Sequence, residues 1–373
     1  MLSKALLSKH LNEIGVHLDG QGPADIRIHD NRLYAYMAFN PSLAMGEGYV
    51  KGWWDCDHLD DLFYRAGRQK LEEKFYVSWR LFFSALINRL FNFQTRRKAH
   101  EVAEKHYNLG NQFYRQMLGE TMAYTCGYWK NASNLDEAQY HKFDLICRKL
   151  KLQPGESVLD LGCGWGTLAK YMAEKYQCNV TAVNLSSEQV AYGREVCKGL
   201  PIKFFQCDYR DAATYNPQKI PFDKIASVGL CEHVGYKNYR FLMQLAKENL
   251  KDNGLFLLHT IGKNDSTPYC DTWIDKYIFP NGMLPSIKLL AKAAEGIFIT
   301  EDLHNFGADY DKTLMAWYHN FKAQGESAGD ERFRRLWTYY LLTCAGGFRA
   351  RGMELWQFVL SPNGVLGGYE SVR

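Results

Sequence analysis

Between residues 157 and 260 the chain runs through five short apolar segments, "SVLDLG", "NVTAVN", "IKFFQC", "DKIASVG" and "GLFLLHT", with helix-forming stretches around 166–176, 187–198 and 237–250. Short apolar runs suit strands buried on both faces, and strands alternating with helices imply the crossover connections that parallel sheets need. The pattern predicts an α/β domain built on a mostly parallel sheet. "GIFITEDL" and "MELWQFVLS" can extend that sheet late in the chain.

The first hundred residues read differently. Residues 2 to 15 predict a short helix, "PADIRIHD" alternates like a strand, and "AMGEGYVKGWWDCD" combines three glycines with adjacent tryptophans, as in a tightly packed segment. The stretch "YVSWRLFFSALINRLFNF" carries only Arg80 and Arg89 as charges and suits an apolar helix. It can face lipid, face a second subunit or pack against the other domain. From Lys74 to His100 there is no Asp or Glu, while Lys74, Arg80, Arg89, Arg96, Arg97 and Lys98 are basic, which suits an anionic surface.

At 373 residues the size fits one large domain and a smaller one, placed at 1–95 and 96–373. A net charge of +4 gives no reason to expect a nucleic-acid partner. The ten cysteines show neither zinc-site spacing nor the density of a disulfide scaffold, so they are expected to be reduced thiols of a cytoplasmic protein without a metal. No run reaches the roughly 18 apolar residues of a membrane span, and the N-terminal residues lack a secretory pattern, so any membrane contact is expected to be peripheral.

"VLDLGCGWG" follows the first strand of the α/β region. Glycine permits a sharp turn and a close approach to a ligand, and the helix that follows offers unpaired N–H groups. The dinucleotide pattern G-x-G-x-x-G fails here, because counting from Gly162 its last position is Thr167. Asp160, two residues before Gly162, suits a cationic amino group instead, such as that of S-adenosylmethionine. Gly164 continues the turn. Asn184, ending the second strand in "AVNLSSEQ", stands where an acidic ribose ligand often occurs, and Asn184 and Gln189 can bind hydroxyls or cap the helix. Asp208 in "CDYRD" can accept from an adenine amino group with Tyr209 near the ring.

Glu232 and His233 follow the fourth strand, and His259 lies at the end of the fifth. Successive strand ends approach one crevice in a parallel sheet, so Cys126, Glu232, His259 and Tyr310 can surround a small anion or polar substrate. A Cys-His nucleophile is open at this point. Transfer of a sulfonium methyl needs no covalent enzyme intermediate.

Taken together, "PADIRI", "GEGYVKGWWDCD", "HYNLGNQFY", "YTCGYWK", "VLDLGCGWG", "EHVGYKNY", "LLHTIG", "DKYIFPNG", "NFGADYDKTLMAWY" and "TYYLLTCAGGFRAR" closely resemble the cyclopropane-fatty-acyl-phospholipid synthases over nearly the whole chain. The resemblance implies a Rossmann-like class I methyltransferase domain beside a smaller, mainly helical N-terminal domain. It implies a homodimer at the inner face of the membrane, acting on a cis-unsaturated acyl chain esterified in a phospholipid of the bilayer. It also implies bicarbonate, held by Cys126, Glu232, His259, Ile261 and Tyr310. Cofactor contacts fall on Tyr124, Gly162, Gly164, Asn184, Leu185 and Gln189. Many relatives carry Thr or Ser at the position of Asn184, and Thr125 and Gly127 depart slightly from the usual "YSCAYW".

The chemistry so implied attaches the methyl to an alkene, creates carbocation character on the acyl chain, and closes the ring when bicarbonate takes a proton from the new methyl. Glu232 and His259 would orient that base, and aromatics such as Tyr310 would face the positive charge. Methylation of another acceptor, methylation without closure and noncatalytic lipid binding are the rival readings.

Overall fold

The computed structural model describes residues 4–71, 110–267 and 270–373. The apolar stretch before residue 94 and the basic residues from Lys74 to Lys98 lie outside them. Contacts divide the chain into two compact units, one of residues 1–90, 269–280 and 310–353, the other of 91–268, 281–309 and 354–373. The expectation of a single cut near residue 95 does not describe this division, because two later segments cluster with the N-terminal one.

In the first unit, the helix expected at the N-terminus spans Lys4–Asn12. "PADIRIHD" contributes only β1 (Arg27–Ile28), paired antiparallel with β2 (Trp54–Asp55). The glycine and tryptophan segment is helical in its first half, within Pro41–Val50, where Asn40 caps the start by accepting from Leu43 N–H at 3.1 Å. Glycine in a helix interior is destabilising on its own. At Gly46 the reason is contact: a Cβ there would run into the indole of the fully buried Trp273. The 19-residue helix Glu331–Arg349 completes this unit, with Arg349 bonded to Asp311 and Asp60 at 2.9 and 2.8 Å.

The second unit holds one seven-stranded sheet in the order β5-β4-β3-β6-β7-β9-β8. Its strands are β3 (Ser157–Leu161), β4 (Asn179–Asn184), β5 (Ile202–Gln206), β6 (Phe222–Val228), β7 (Leu250–Gly262), β8 (Ile299–Asn305) and β9 (Glu354–Ser361). The first five are parallel, as their apolar runs require, and β9 enters antiparallel between β7 and β8. Side chains alternate between two cores. Leu159, Leu161, Phe256 and Leu258 pack on one face with helices Tyr239–Glu248 and Ile287–Ala294, while Val158, Leu255, Leu257 and Val359 pack on the other with Leu135–Lys149, Thr167–Tyr176 and Ser187–Val196.

Register then places the chemistry. Leu161 of β3 pairs with Val183 of β4 and Ser227 of β6, and Val228 pairs with His259 of β7. The residues that follow, Gly162, Asn184, Gly229 and His259, therefore stand at nearly one level along the carboxyl edge. The strand order reverses beside β3, which opens the crevice where ligands of such sheets bind.

Candidate active site

β3 leads straight into the glycine turn, whose Gly162, Gly164 and Gly166 have φ of 83°, 54° and 83°. Gly162 and Cys163 N–H both donate to Val183 O, at 2.9 and 3.1 Å, fastening the turn to β4. A Cβ on Gly164 would meet nothing within 4 Å, so the backbone there borders open space. Gly166 starts the helix Thr167–Tyr176 in the left-handed region, and a Cβ on it would lie 2.7 Å from the Phe204 ring. Gly166→Ala is therefore expected to cost about 1–3 kcal/mol, read as a lower urea midpoint; an unchanged midpoint would mean the turn relaxes freely.

Asp160 is the unusual group at this turn. It is 1% exposed, and among the described residues its Oδ2 has no hydrogen-bond partner. Burial alone pushes its carboxyl up to about 7. An unmatched acceptor beside an open backbone cradle suits a cationic amino group, so these residues fit the methionine end of S-adenosylmethionine. At the end of β4, Asn184 Nδ2 donates to Gly164 O at 3.2 Å and Gln189 Oε1 at 2.7 Å, while Leu185 N–H donates to Asn184 Oδ1 at 2.8 Å. Asn184, Leu185 and Gln189 are thus one assembly with the turn.

Asp208 differs from expectation. Its buried carboxylate is gripped by Arg210, from Nε at 2.7 Å and Nη2 at 2.5 Å, with the Arg210 N–H adding a third bond at 2.9 Å. Arg210 thus takes up part of the acceptor capacity expected to serve an adenine amino group. Tyr209 is buried in the core, with the Arg210 guanidinium 5.3 Å from its ring centre.

The second cluster forms where β6 stops and β7 continues. Past Val228, β7 has lost its neighbour on that edge, and Gly229 N–H takes His259 O at 3.0 Å. The next group on the same edge, Ile261 N–H, donates to Glu232 Oε1 at 2.7 Å. Glu232 sits on the short helix Cys231–Val234, and its Oε2 is sealed from solvent without a partner among the described residues. Burial pushes its carboxyl up to about 7 against the pull of the Ile261 N–H. The Ile261 N–H assigned to an anion is therefore engaged by Glu232.

His259 is 1% exposed. Its Nδ1 lies 3.2 Å from Gln357 Nε2 on β9, and its buried Nε2 has no partner among the described residues. Burial, reinforced by the positive Lys142 and Lys149, drops its pKa well below the ordinary value, so the ring is neutral. His233, the other histidine of "EHVG", is also held down by burial.

Cys126 is fully buried, with Sγ 3.2 Å from Gly127 O. Its segment reaches the histidine through aromatic contacts. The Tyr128 ring lies 5.3 Å from Phe306, which lies 5.8 Å from His259. Tyr124 packs on Tyr114, 5.8 Å away, which contacts Trp165 of the glycine turn at 5.1 Å. Tyr310 belongs to the other compact unit, where it stacks on Phe348 at 4.3 Å.

Sequence reasoning missed Gln139 and Lys142, both buried on the helix Leu135–Lys149. Gln139 Nε2 donates to Thr125 O at 2.8 Å, and Lys142 Nζ donates to Thr125 Oγ1 at 2.7 Å and Gln139 Oε1 at 2.5 Å. They clamp the loop that carries Tyr124 and Cys126. Burial lowers the Lys142 ammonium to about 7, with the neighbouring Cys126 opposing. Their signal was polar residues at the inward positions of an amphipathic helix. Among the described residues no group of three or more His, Cys, Asp or Glu is arranged to hold a metal ion.

A family model described as mycolic acid cyclopropane synthetase matches residues 94–358. The chain is 46% identical over 366 residues to the cyclopropane-fatty-acyl-phospholipid synthase of Escherichia coli (strain K12), covering 97% of this chain and 94% of that one. It is 37% identical over 273 residues to a probable fatty acid methyltransferase of Pseudomonas putida, covering 69% of this chain and 68% of that one. Among solved structures, the cyclopropane synthase MmaA2 from Mycobacterium tuberculosis aligns with a TM-score of 0.64 at 28% identity, covering 70% of this chain and 97% of that one. The mycolic acid cyclopropane synthase CmaA1 complexed with SAH and CTAB aligns with a TM-score of 0.64 at 30% identity, with the same coverages of 70% and 97%. The parallel α/β sheet read from the strand pattern, and the Rossmann-like class I methyltransferase architecture that the resemblance implied, are what these neighbours share.

Proposed function

Because the chain belongs to the mycolic acid cyclopropane synthetase family, we infer that it is an S-adenosylmethionine-dependent synthase that adds a methylene across the cis double bond of a phospholipid acyl chain, closing a cyclopropane ring. The observation that supports this is a pair of buried, incomplete polar sets on one crevice edge: Asp160 Oδ2 at the glycine turn, and Glu232 Oε2 with His259 Nε2 one strand further on. The first suits a cationic methyl donor. The second suits a small hydrogen-bonding anion, for which we propose bicarbonate.

When bound, S-adenosylmethionine supplies an electrophilic methyl and bicarbonate a base. Asp160 would accept from the donor's amino group, with Gly162 and Gly164 bordering it, Asn184, Leu185 and Gln189 toward its hydroxyls and Tyr124 alongside. Glu232 and His259 would orient the base, and Cys126 and Ile261 would help hold it, as the resemblance implies. The role of Tyr310 rests on the resemblance. An alkene is a weak nucleophile, so rate must come from alignment in a dry pocket and from fixed polar groups facing the charge that develops on the acyl chain. Asp208, held in place by Arg210, would accept from the adenine amino group with its remaining lone pairs, with Tyr209 near the ring.

The test is to incubate the protein with S-adenosylmethionine and cis-unsaturated phospholipid vesicles, then record NMR spectra of the extracted acyl chains. Alkene signals are expected to fall as cyclopropane protons appear. Methylated, unclosed chains would move the reading to related chemistry, and unchanged lipid despite cofactor binding would overturn it.

Among the described residues no helix is long and apolar enough to cross a membrane. The proposed substrate lies in a bilayer, so we propose peripheral contact at its cytoplasmic face, made by a homodimer, with the acid-free run around Arg96, Arg97 and Lys98 as the contact. Replacing these three by glutamine is expected to weaken binding to anionic vesicles by roughly 100-fold at low salt, near 1 kcal/mol per charge. Co-sedimentation that does not change would sink this assignment.

A further inference from the structure

We propose that Gln357 is a positioning residue that fixes the tautomer of His259 and so turns its Nε2 into a hydrogen-bond donor; this rests on the reading of His259 as a ligand of the bound anion. In the antiparallel register, Gln357 of β9 stands directly opposite His259 of β7 on one side and His304 of β8 on the other. It is fully buried, and its Nε2 lies 3.2 Å from His259 Nδ1.

An amide nitrogen only donates. With the Gln357 amide turned Nε2 toward the ring, Nδ1 accepts and the single proton of the neutral ring sits on Nε2. That nitrogen is the buried one without a protein partner. It therefore presents N–H, not a lone pair, to whatever fills the space, which is the polarity an anion needs. A carboxylate at position 357 would do the opposite: it would hold the proton on Nδ1 and leave a bare lone pair facing the anion. Among the described residues nothing else bonds Nδ1, and the Phe306 ring beside the imidazole supplies no competing group.

The proposal is tested with histidine labelled by nitrogen-15 in the full chain. Long-range proton–nitrogen spectra separate the two tautomers, and the His259 signals are assigned by their loss in His259→Asn. Wild type is expected to show a protonated Nε2 and an unprotonated Nδ1. Gln357→Glu is expected to reverse the pattern and to lower kcat by about 100-fold, the size of losing one preorganised donor, with the Kd for S-adenosylmethionine unchanged. Gln357→Met, which keeps the volume and removes the bond, should mix the tautomers with a smaller loss. A wild-type proton on Nδ1 would overturn the proposal without any variant, as would a Gln357→Glu spectrum identical to wild type. A reversed tautomer with undiminished turnover would instead leave Gln357 in this role and overturn the reading of His259 as an anion ligand.

Discussion

Glu232→Gln is expected to fold normally, bind S-adenosylmethionine with wild-type affinity and form cyclopropane about 100- to 1,000-fold more slowly, the range for removing an acid–base or preorganised polar group. The amide keeps the shape and, through its oxygen, keeps the bond from Ile261 N–H now made at 2.7 Å. What changes is Oε2, the buried atom with no partner. A carboxyl raised to about 7 can hold a proton or give it up near neutral pH, whereas an amide can do neither. Glu232→Ala provides the contrast. It orphans the Ile261 N–H as well, so it should lose a similar amount of rate and also about 1–3 kcal/mol of stability. Product NMR, cofactor calorimetry and urea melts on the two variants separate these effects. Full turnover in a folded Glu232→Gln protein would remove Glu232 from the chemistry.

Parts of this arrangement follow from local sequence. The apolar runs at 157–161, 179–184, 202–206, 222–228 and 250–262 became strands because each is β-rich and bounded by turn residues or helix starts. The turn after β3 was legible because successive small residues behind a strand have few other uses. Arg210 on Asp208 was hidden for a different reason: two residues of separation in a loop permit a bond or prevent it, depending on backbone angles that composition does not reveal. Gln357 was out of reach altogether. Its place opposite His259 depends on β9 entering antiparallel between β7 and β8, and a shift of one residue would have turned it to the other face. The clustering of residues 310–353 with the N-terminal segment is likewise a matter of non-local packing. Gly46 of Pro41–Val50 reads as a turn residue until Trp273, more than two hundred positions away, explains it.

Asp160→Asn is expected to separate binding from stability, with the two moving in opposite directions. In the free protein the carboxylate is buried without a partner, and its pKa stands at about 7 against 3.8 for an ordinary aspartate. The folded state therefore holds a proton more readily than the unfolded chain, so this group costs stability increasingly as pH rises from about 4 to about 7. Asparagine removes that cost. The variant should melt at or above the wild-type temperature at pH 8, with the difference shrinking toward pH 4. Binding should respond the other way. A cationic amino group loses the charged acceptor Asp160 at the turn, and the Kd for S-adenosylmethionine should rise by about 10- to 100-fold, the value of a charge-assisted hydrogen bond of roughly 1.5–3 kcal/mol. Because the amino group lies away from the transferred methyl, turnover at saturating donor should fall much less than kcat/KM. Calorimetric titration and melts across this pH range decide the matter. Wild-type affinity in Asp160→Asn would mean that the amino group is held elsewhere, and a loss of stability at pH 8 would mean that Oδ2 has a partner in solution.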